Sequence, residues 1–295
     1  MIELRHLRYF VAVAEELNFR RAAERVHIDQ TPLSRAIRDL EDRLGLQLFV
    51  RSPRKLHLTP AGERLLKEAR KVFIRVDRAY RVVRETDARF RAPLRIGVAD
   101  GIAQPKLSEC FARWCKLEPA IPLELNEMRA SELADGLERG ELDAGFSFGL
   151  LDNETVAQHP AWSYPVMALL PMGHELAMQA VLSMEELLAF PLLSYHPERQ
   201  PGFSHQLRTI VRGHSTTPTV AGEACTLAGY VTRIAAGMGV GLADEGHMAM
   251  LRRGDVAVVP LSEDERVTTF VLHKHQRFGL HGALQRFLTH ATTLH

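Results

Sequence analysis

The apolar positions of the first sixty residues recur at helical spacing. From Leu4 to Leu17 they fall at Leu4, Leu7, Phe10, Val11, Ala14 and Leu17, a single stripe of an amphipathic helix. Asn18 is placed to cap a second helix carrying Ala22, Ala23 and Val26. After a break at His27 to Gln30, Thr31 followed by Pro32 predicts the start of a third helix, with Thr31 as N-cap and Pro32 at the first helical position. That helix turns Leu33, Ile37, Leu40 and Leu44 inward and ends at Gly45. Leu46 to Leu58 reads as two short strands around Ser52-Pro53-Arg54. Thr59 and Pro60 repeat the cap-then-proline start, and a long helix is expected to about Phe90. Its apolar residues, from Leu65 and Leu66 through Ala69, Val72, Phe73, Val76, Ala79 and Tyr80 to Val83, step by three and four. Such a narrow seam on a charged helix needs a second helix to cover it.

Beyond Pro93 the pattern changes to alternating strands and helices. Strands are predicted at Leu94–Val98, Ile121–Glu127 and Leu142–Phe148, with helices at Pro105–Leu117 and Ser131–Arg139 between them. This order calls for a parallel sheet with right-handed crossovers. A second set follows: strands at Pro165–Leu170, Pro191–Ser194, Thr219–Glu223, Val240–Ala243 and Val256–Pro260, and helices at Ser183–Leu188, Phe203–Arg212 and Leu227–Ala236. Val267–His273 and Leu280–Thr292 add a strand and a helix. The expected fold is α/β with an N-terminal, all-helical winged helix-turn-helix. The expected domains are a head at 1–60, a linker helix for dimerisation at 61–91 and a module at 92–295. That module divides into two Rossmann-like lobes, 92–163 with 268–295 and 164–267, so the chain crosses between them near Ser163 and Thr268.

Charge sharpens this division. The chain carries only +1 overall, but residues 1–60 hold 11 Lys/Arg against 8 Asp/Glu, residues 61–91 hold 10 against 5, and the remainder 16 against 23. A basic head on an acidic body points to an anionic partner for the head alone. Arg5, Arg8, Glu15 and Glu16 interrupt every apolar run near the start, as no signal peptide would. No stretch approaches the roughly 20 apolar residues of a membrane span. Cys110, Cys115 and Cys225 lack metal spacing and fit thiols in a reducing compartment, so a cytoplasmic location is expected and no membrane partner.

The chemistry concentrates at the start of the third helix. A helix-turn-helix needs a supporting helix and a second helix free to enter the major groove. Gln30, Thr31, Pro32, Ser34 and Arg35 cluster at that helix's N-terminal end, with Arg38 one turn on and Arg21 on the supporting helix. Arg35 is suited to guanine and Gln30 to adenine. Arg51, Arg54 and Lys55 form a basic wing. Double-stranded DNA is the partner these residues imply.

With these residues in view, positions 1–62 resemble the winged helix-turn-helix of the LysR-type transcriptional regulators. The matching text is Leu7-Arg8-Tyr9-Phe10, Asn18-Phe19, Arg21-Ala22-Ala23, Leu33-Ser34-Arg35, Ile37, Leu40-Glu41, Leu44-Gly45, Leu48-Phe49, Arg51 and Leu58-Thr59-Pro60-Ala61-Gly62. The resemblance implies a homodimer through the linker helix, often paired into a tetramer, with RNA polymerase as a further candidate partner. It also implies an effector module similar to periplasmic binding proteins. Residues 1–15 and Gln200-Pro201-Gly202-Phe203-Ser204 look like the branch that regulates aromatic-compound breakdown, whose effectors are small carboxylates such as muconates or benzoates. That branch's cleft positions map to Gly101, Ala130, Pro201 and Phe203; Pro201 and Phe203 match, whereas Gly101 and Ala130 lack the hydroxyls the branch often presents.

Open α/β lobes bind ligands beyond their C-terminal strand ends. The candidate effector residues are therefore Ala99, Asp100, Gly101, Ile102, Arg129, Ala130, Ser131, Ser147, Phe148, Pro201, Gly202, Phe203 and Thr226. Phe203 is expected to offer a ring face, and the helix starts at Phe203 and Thr226 their amides. Arg129 lies near a strand end, where it reads either as a partner for an effector carboxylate or, the more ordinary role, as one half of a surface salt bridge, and Asp100 would repel an acidic effector. Other features carry no chemistry. Gly237-Met238-Gly239-Val240-Gly241 follows a helix and precedes a strand, the wrong order for phosphate binding. His273 and His275 lack a third ligand, Cys225 has no nearby His, and Ser34 belongs to the DNA-reading helix. No enzyme, cofactor or metal is expected. A solute-binding protein or enzyme carrying a DNA-binding head, and an architectural DNA protein, are the alternatives.

Overall fold

The computed structural model describes residues 2–51, 56–84, 92–149, 154–251, 253–275 and 282–293; of residues 51, 77, 78, 81, 82 and 84 it describes the backbone alone. The chain divides into two compact units, Met1–Val83 and Arg84–His295.

The first unit opens with helices α1 (Leu4–Glu16), α2 (Phe19–Arg25) and α3 (Gln30–Leu44). The Asn18 side chain accepts the amides of Arg20 and Arg21 at 2.9 and 3.2 Å, the cap its position suggested. Helix α3 corrects the expected boundary. It starts at Gln30 with Asp29 as N-cap, so Thr31 lies inside the first turn rather than capping it. Pro32 permits this, because the first four amides of a helix have no intrahelical acceptor and a missing one costs nothing there. Gly45 ends α3 with φ 65°. Strands β1 (Phe49–Arg51) and β2 (Leu56–Leu58) pair antiparallel as the wing. Phe10, Leu33, Ile37, Leu40 and Phe49 form the buried core. Glu41 of α3 accepts the amides of Leu48 and Phe49 at 2.7 and 3.2 Å, which fixes the wing's base to that helix.

Helix α4 (Pro60–Arg84) follows, with the Thr59 hydroxyl accepting the Gly62 amide at 3.0 Å. Residues 85–90 of the expected helix lie outside the described residues. Leu65, Leu66 and Ala69 pack on the head, and Arg70 reaches Glu15 of α1 at 2.8 Å. Further along the seam, Tyr80 is 68% exposed.

The second unit is built on a mixed sheet. Parallel strands β3 (Leu94–Ala99), β4 (Leu123–Met128) and β5 (Ala144–Ser147) are connected in turn by helices α5 (Pro105–Leu117) and α6 (Ala130–Arg139). Strand β6 (Val156–Pro171) is far longer than the sequence pattern indicated. Next come α7 (Met184–Leu188), β7 (Leu192–Tyr195), α8 (Pro201–Arg212), β8 (Val220–Ala224), α9 (Leu227–Ala235), β9 (Gly241–Asp244), α10 (Glu245–Met250), β10 (Val256–Pro260), β11 (Arg266–Lys274) and α11 (Gly282–Thr292). The strand order is β10-β6-β11-β5-β3-β4, with β9 also on β6, while β7 and β8 pair parallel beside it. Strand β11 runs antiparallel to β6 and carries a register shift between Thr269 and Phe270. Ser163 and Thr268 lie opposite each other there, their hydroxyls 2.9 Å apart. Helix α10 has no counterpart in the hydrophobic pattern of the sequence.

Candidate functional site

The DNA-reading candidates stand on α3. Leu33, Ile37 and Leu40 are wholly buried beneath them, and this anchors the helix by its inner face. Gln30, Thr31, Pro32, Arg35 and Arg38 are exposed on the outer face, with Ser34 half-buried between. Among the described residues neither Arg35 nor Arg38 has an ion-pair partner. Arg21 differs: it pairs with Glu16 at 2.9 Å and so serves the head's own packing. Arg51 contributes its backbone to the wing, and the side chain is not described; Arg54 and Lys55 lie outside the described residues. Two unpaired guanidiniums one turn apart on a rigid exposed face suit phosphate and base-edge contacts.

In the second unit the strand ends converge on a junction between the lobes. Gly202 sits so close to the end of β5 that a Cβ there would stand 2.6 Å from the Gly149 carbonyl oxygen and 2.8 Å from that of Phe148. Only glycine lets α8 make this approach. The rings of Phe148 and Phe203 lie 4.5 Å apart, and His247 of α10 lies within 5.9 Å of both. Phe203 is 1% exposed and also meets Tyr195 edge-on, so the expected free ring face does not exist here; the chain's own rings cover it. Helix α8 begins at Pro201, two residues earlier than expected, which places Gly202 and Phe203 in its first turn.

Around these rings is a polar network that the sequence did not disclose. Gln104, at the start of α5, is 1% exposed. Its carbonyl oxygen accepts from Trp162 Nε1 at 2.7 Å and from the Thr269 hydroxyl at 2.8 Å, and its amide donates to Asp244 at 2.8 Å. Asp244 caps α10 through the His247 amide and holds His247 Nδ1. His247 Nε2 faces the Ala103 amide at 3.3 Å and accepts from it, which leaves the Nδ1 proton to Asp244. Gln206 of α8 completes the junction, donating to the carbonyls of Phe148 and Thr268 at 2.7 and 2.8 Å and accepting the Thr268 amide at 2.8 Å. The one legible signal was Asp244 itself, an N-cap residue directly after an apolar strand.

The remaining candidates are spread around this junction. Ala99 and Ile102 are buried in the turn after β3, with Asp100 at φ 59° and Gly101 at φ 66°. Both carboxylate oxygens of Asp100 are closed off from solvent and have no hydrogen-bond partner among the described residues. Burial pushes this carboxyl up to about 6. Ser147 is buried with its hydroxyl accepting the Gly149 amide at 2.9 Å. Arg129 is exposed, without an ion pair among the described residues, and Ser131 is exposed beside it. Thr226 spends its hydroxyl on the Gly229 amide as the cap of α9. His273 pairs with His159, Nε2 to Nε2 at 3.1 Å, and among the described residues no three His, Cys, Asp or Glu gather as metal ligands.

Comparison with known proteins agrees across the full length. Residues 4–63 match the bacterial regulatory helix-turn-helix protein, lysR family, and residues 87–294 the LysR substrate binding domain. The HTH-type transcriptional regulator CatR of Pseudomonas putida is 32% identical over 288 residues, 98% of each chain. The uncharacterized HTH-type transcriptional regulator YnfL of Escherichia coli (strain K12) is 32% identical over 271 residues, 90% of each chain. In fold, the chain is similar to full-length CbnR complexed with its target DNA, at a TM-score of 0.79, 22% identity and full coverage of both chains. No helix among the described residues is long and apolar enough to cross a membrane. The chain therefore belongs to the lysR family of DNA-binding transcription regulators and is not an enzyme.

Proposed function

We propose that this protein is a homodimeric regulator, able to pair into tetramers, that reads a specific site in double-stranded DNA in the bacterial cytoplasm and answers to a small aromatic or unsaturated carboxylate. The observation that carries the reading is the outer face of α3, where Gln30, Thr31, Arg35 and Arg38 stand exposed on a helix whose inner face is locked into the head. The narrow apolar seam of α4, with Tyr80 exposed on it, supports association through 61–91. The effector class rests on the resemblance of residues 1–15 and Gln200–Ser204 to the aromatic-catabolism branch. Residues 99–102, 128–131 and 201–203 are the effector segments of this reading, and the crossing at Ser163 and Thr268 is its hinge.

Selection of duplexes bound by the full-length chain from a random pool tests the DNA function. The expected product is a site with two related halves, spaced by whole helical turns as a dimer requires. Arg35→Ala should then cost about 1–3 kcal/mol on that site and little on random duplex. Equal binding of all duplexes by the unaltered chain would overturn the proposal.

A further inference from the structure

Lobe 164–267 contains a cavity of about 390 Å³ on the side of α8 away from Gln206, between that helix and strands β7 and β8. Its walls are apolar: Leu193 and Tyr230 from the sheet side, Leu207 and Val211 from the helix. Two cations rim it. Arg208 and Arg212 are four residues apart on α8, hence on one face, and neither has an ion-pair partner among the described residues. Tyr195 also lines the cavity; it is 2% exposed, and its hydroxyl meets no hydrogen-bond partner among the described residues. Among the described residues that line the cavity, Glu223 is the one acid, and it faces His196 at 3.9 Å.

We infer that this cavity is a second effector site, separate from the junction between the lobes, that takes a small apolar acid: a ring or short branched hydrocarbon seated between the tyrosines and α8, with its carboxylate on Arg208 and Arg212. Three physical features support this. The volume lies within the range of small-molecule sites, roughly 300–1000 Å³. A guanidinium matches a carboxylate with two parallel N–H groups on two oxygens, and the apolar walls suit the hydrocarbon of an organic acid. The Asp100 carboxylate, in turn, makes the turn after β3 a poor place for the same charge. The site also has a mechanical output. Leu207 and Val211 touch the cavity while Gln206, on the same helix, clamps Phe148 and Thr268 across the lobe boundary. A ligand that seats α8 against β7 and β8 biases that clamp, and with it the relative position of the lobes.

The test uses the full-length chain and 4-bromobenzoate, with 4-bromobenzamide as the uncharged counterpart. Calorimetry should show benzoate binding, at least tenfold weaker binding of the benzamide, and at least tenfold loss in the double variant Arg208→Gln, Arg212→Gln. Both arginines are exposed, so an unchanged thermal transition is expected to certify the variant's fold. Anomalous scattering should place bromine between Leu207 and Tyr230. Bromine found only beside Asp100 or Phe203 would support the junction as effector site and overturn this one. No binding, or binding in the cavity that ignores the charge of either partner, overturns it as well.

Discussion

The head and the effector module are stabilised by different kinds of contact. In residues 1–83 the polar groups that matter are satisfied nearby: Asn18 by the amides two and three residues on, Glu41 by amides seven and eight residues on, Thr59 by Gly62. In residues 84–295 they are satisfied at a distance: Gln104 meets Trp162 across 58 residues, Asp244 across 140 and Thr269 across 165. The head's fold is therefore set within its own short elements and suits a rigid reading tool. The module's stability resides at the junction between its lobes, where a small shift breaks several buried hydrogen bonds at once. A protein that must hold one part still and move another gains by distributing its polar contacts this way.

The largest test of this contrast is Gln104→Leu. It strands the Trp162 N–H and the Thr269 hydroxyl in a buried junction and leaves Asp244 Oδ1 with the His247 amide alone, and should cost about 3–5 kcal/mol. The chain's two tryptophans, Trp114 and Trp162, both belong to the module, so urea unfolding followed by tryptophan fluorescence reports it alone. A loss under about 1 kcal/mol would mean the junction is not where the module's stability resides. Next is Asp100→Asn, which keeps a side chain tolerant of positive φ. The folded carboxyl lies near 6 against 3.8 for the free group. A raised acid favours folding at low pH, so the wild type has its full stability below about pH 4 and loses it as pH rises through 6. The variant should gain up to about 3 kcal/mol at pH 8 and nothing at pH 3.5; equal stability of the two proteins at pH 8 would contradict a buried, unpaired carboxylate. The smallest effect sharpens the head's side. Asn18→Ala should cost about 1 kcal/mol, seen as an earlier thermal loss of helical circular dichroism while the tryptophan transition stays in place. Joint movement of both signals would show that the two units do not unfold separately.

The same contrast decides what the sequence could reveal. Periodicity and caps make the head readable because its determinants lie within a turn or two of one another, and the misplacement of Thr31 arose only because proline is harmless anywhere in a first turn. In the module, Pro105–Leu117 and Val256–Pro260 were readable to the residue, since each is a clean apolar pattern between breakers. The first half of β6 was not, because Pro160 and Pro165 argue against a strand. The structure accommodates Pro160 opposite Phe270, where the ladder already shifts register. Helix α10 is six residues long, too short to show a period. The network of Gln104, Trp162, Asp244, His247 and Thr269 has no sequence signature at all, because these residues come together only through the fold. Phe203 was placed in the right neighbourhood and given the wrong exposure, since sequence reports that a ring is present but not what covers it.

The crossing of β6 and β11 at Ser163 and Thr268 also sets an order of events at the ribosome. The head can close as soon as its residues emerge. The lobe begun at Leu94 cannot, because β11 lies between β5 and β6 and Phe287 of α11 packs on Trp114 at 5.2 Å. Those pieces follow the first crossing by 103 residues or more. Phe287 follows Trp114 by 173 residues, so at about 5–20 residues per second the Trp114 face stays bare for about 9–35 s. Any chain whose synthesis stops early carries a finished DNA-reading head on a module that still displays an open hydrophobic wall, the feature chaperones and proteases use to remove incomplete products.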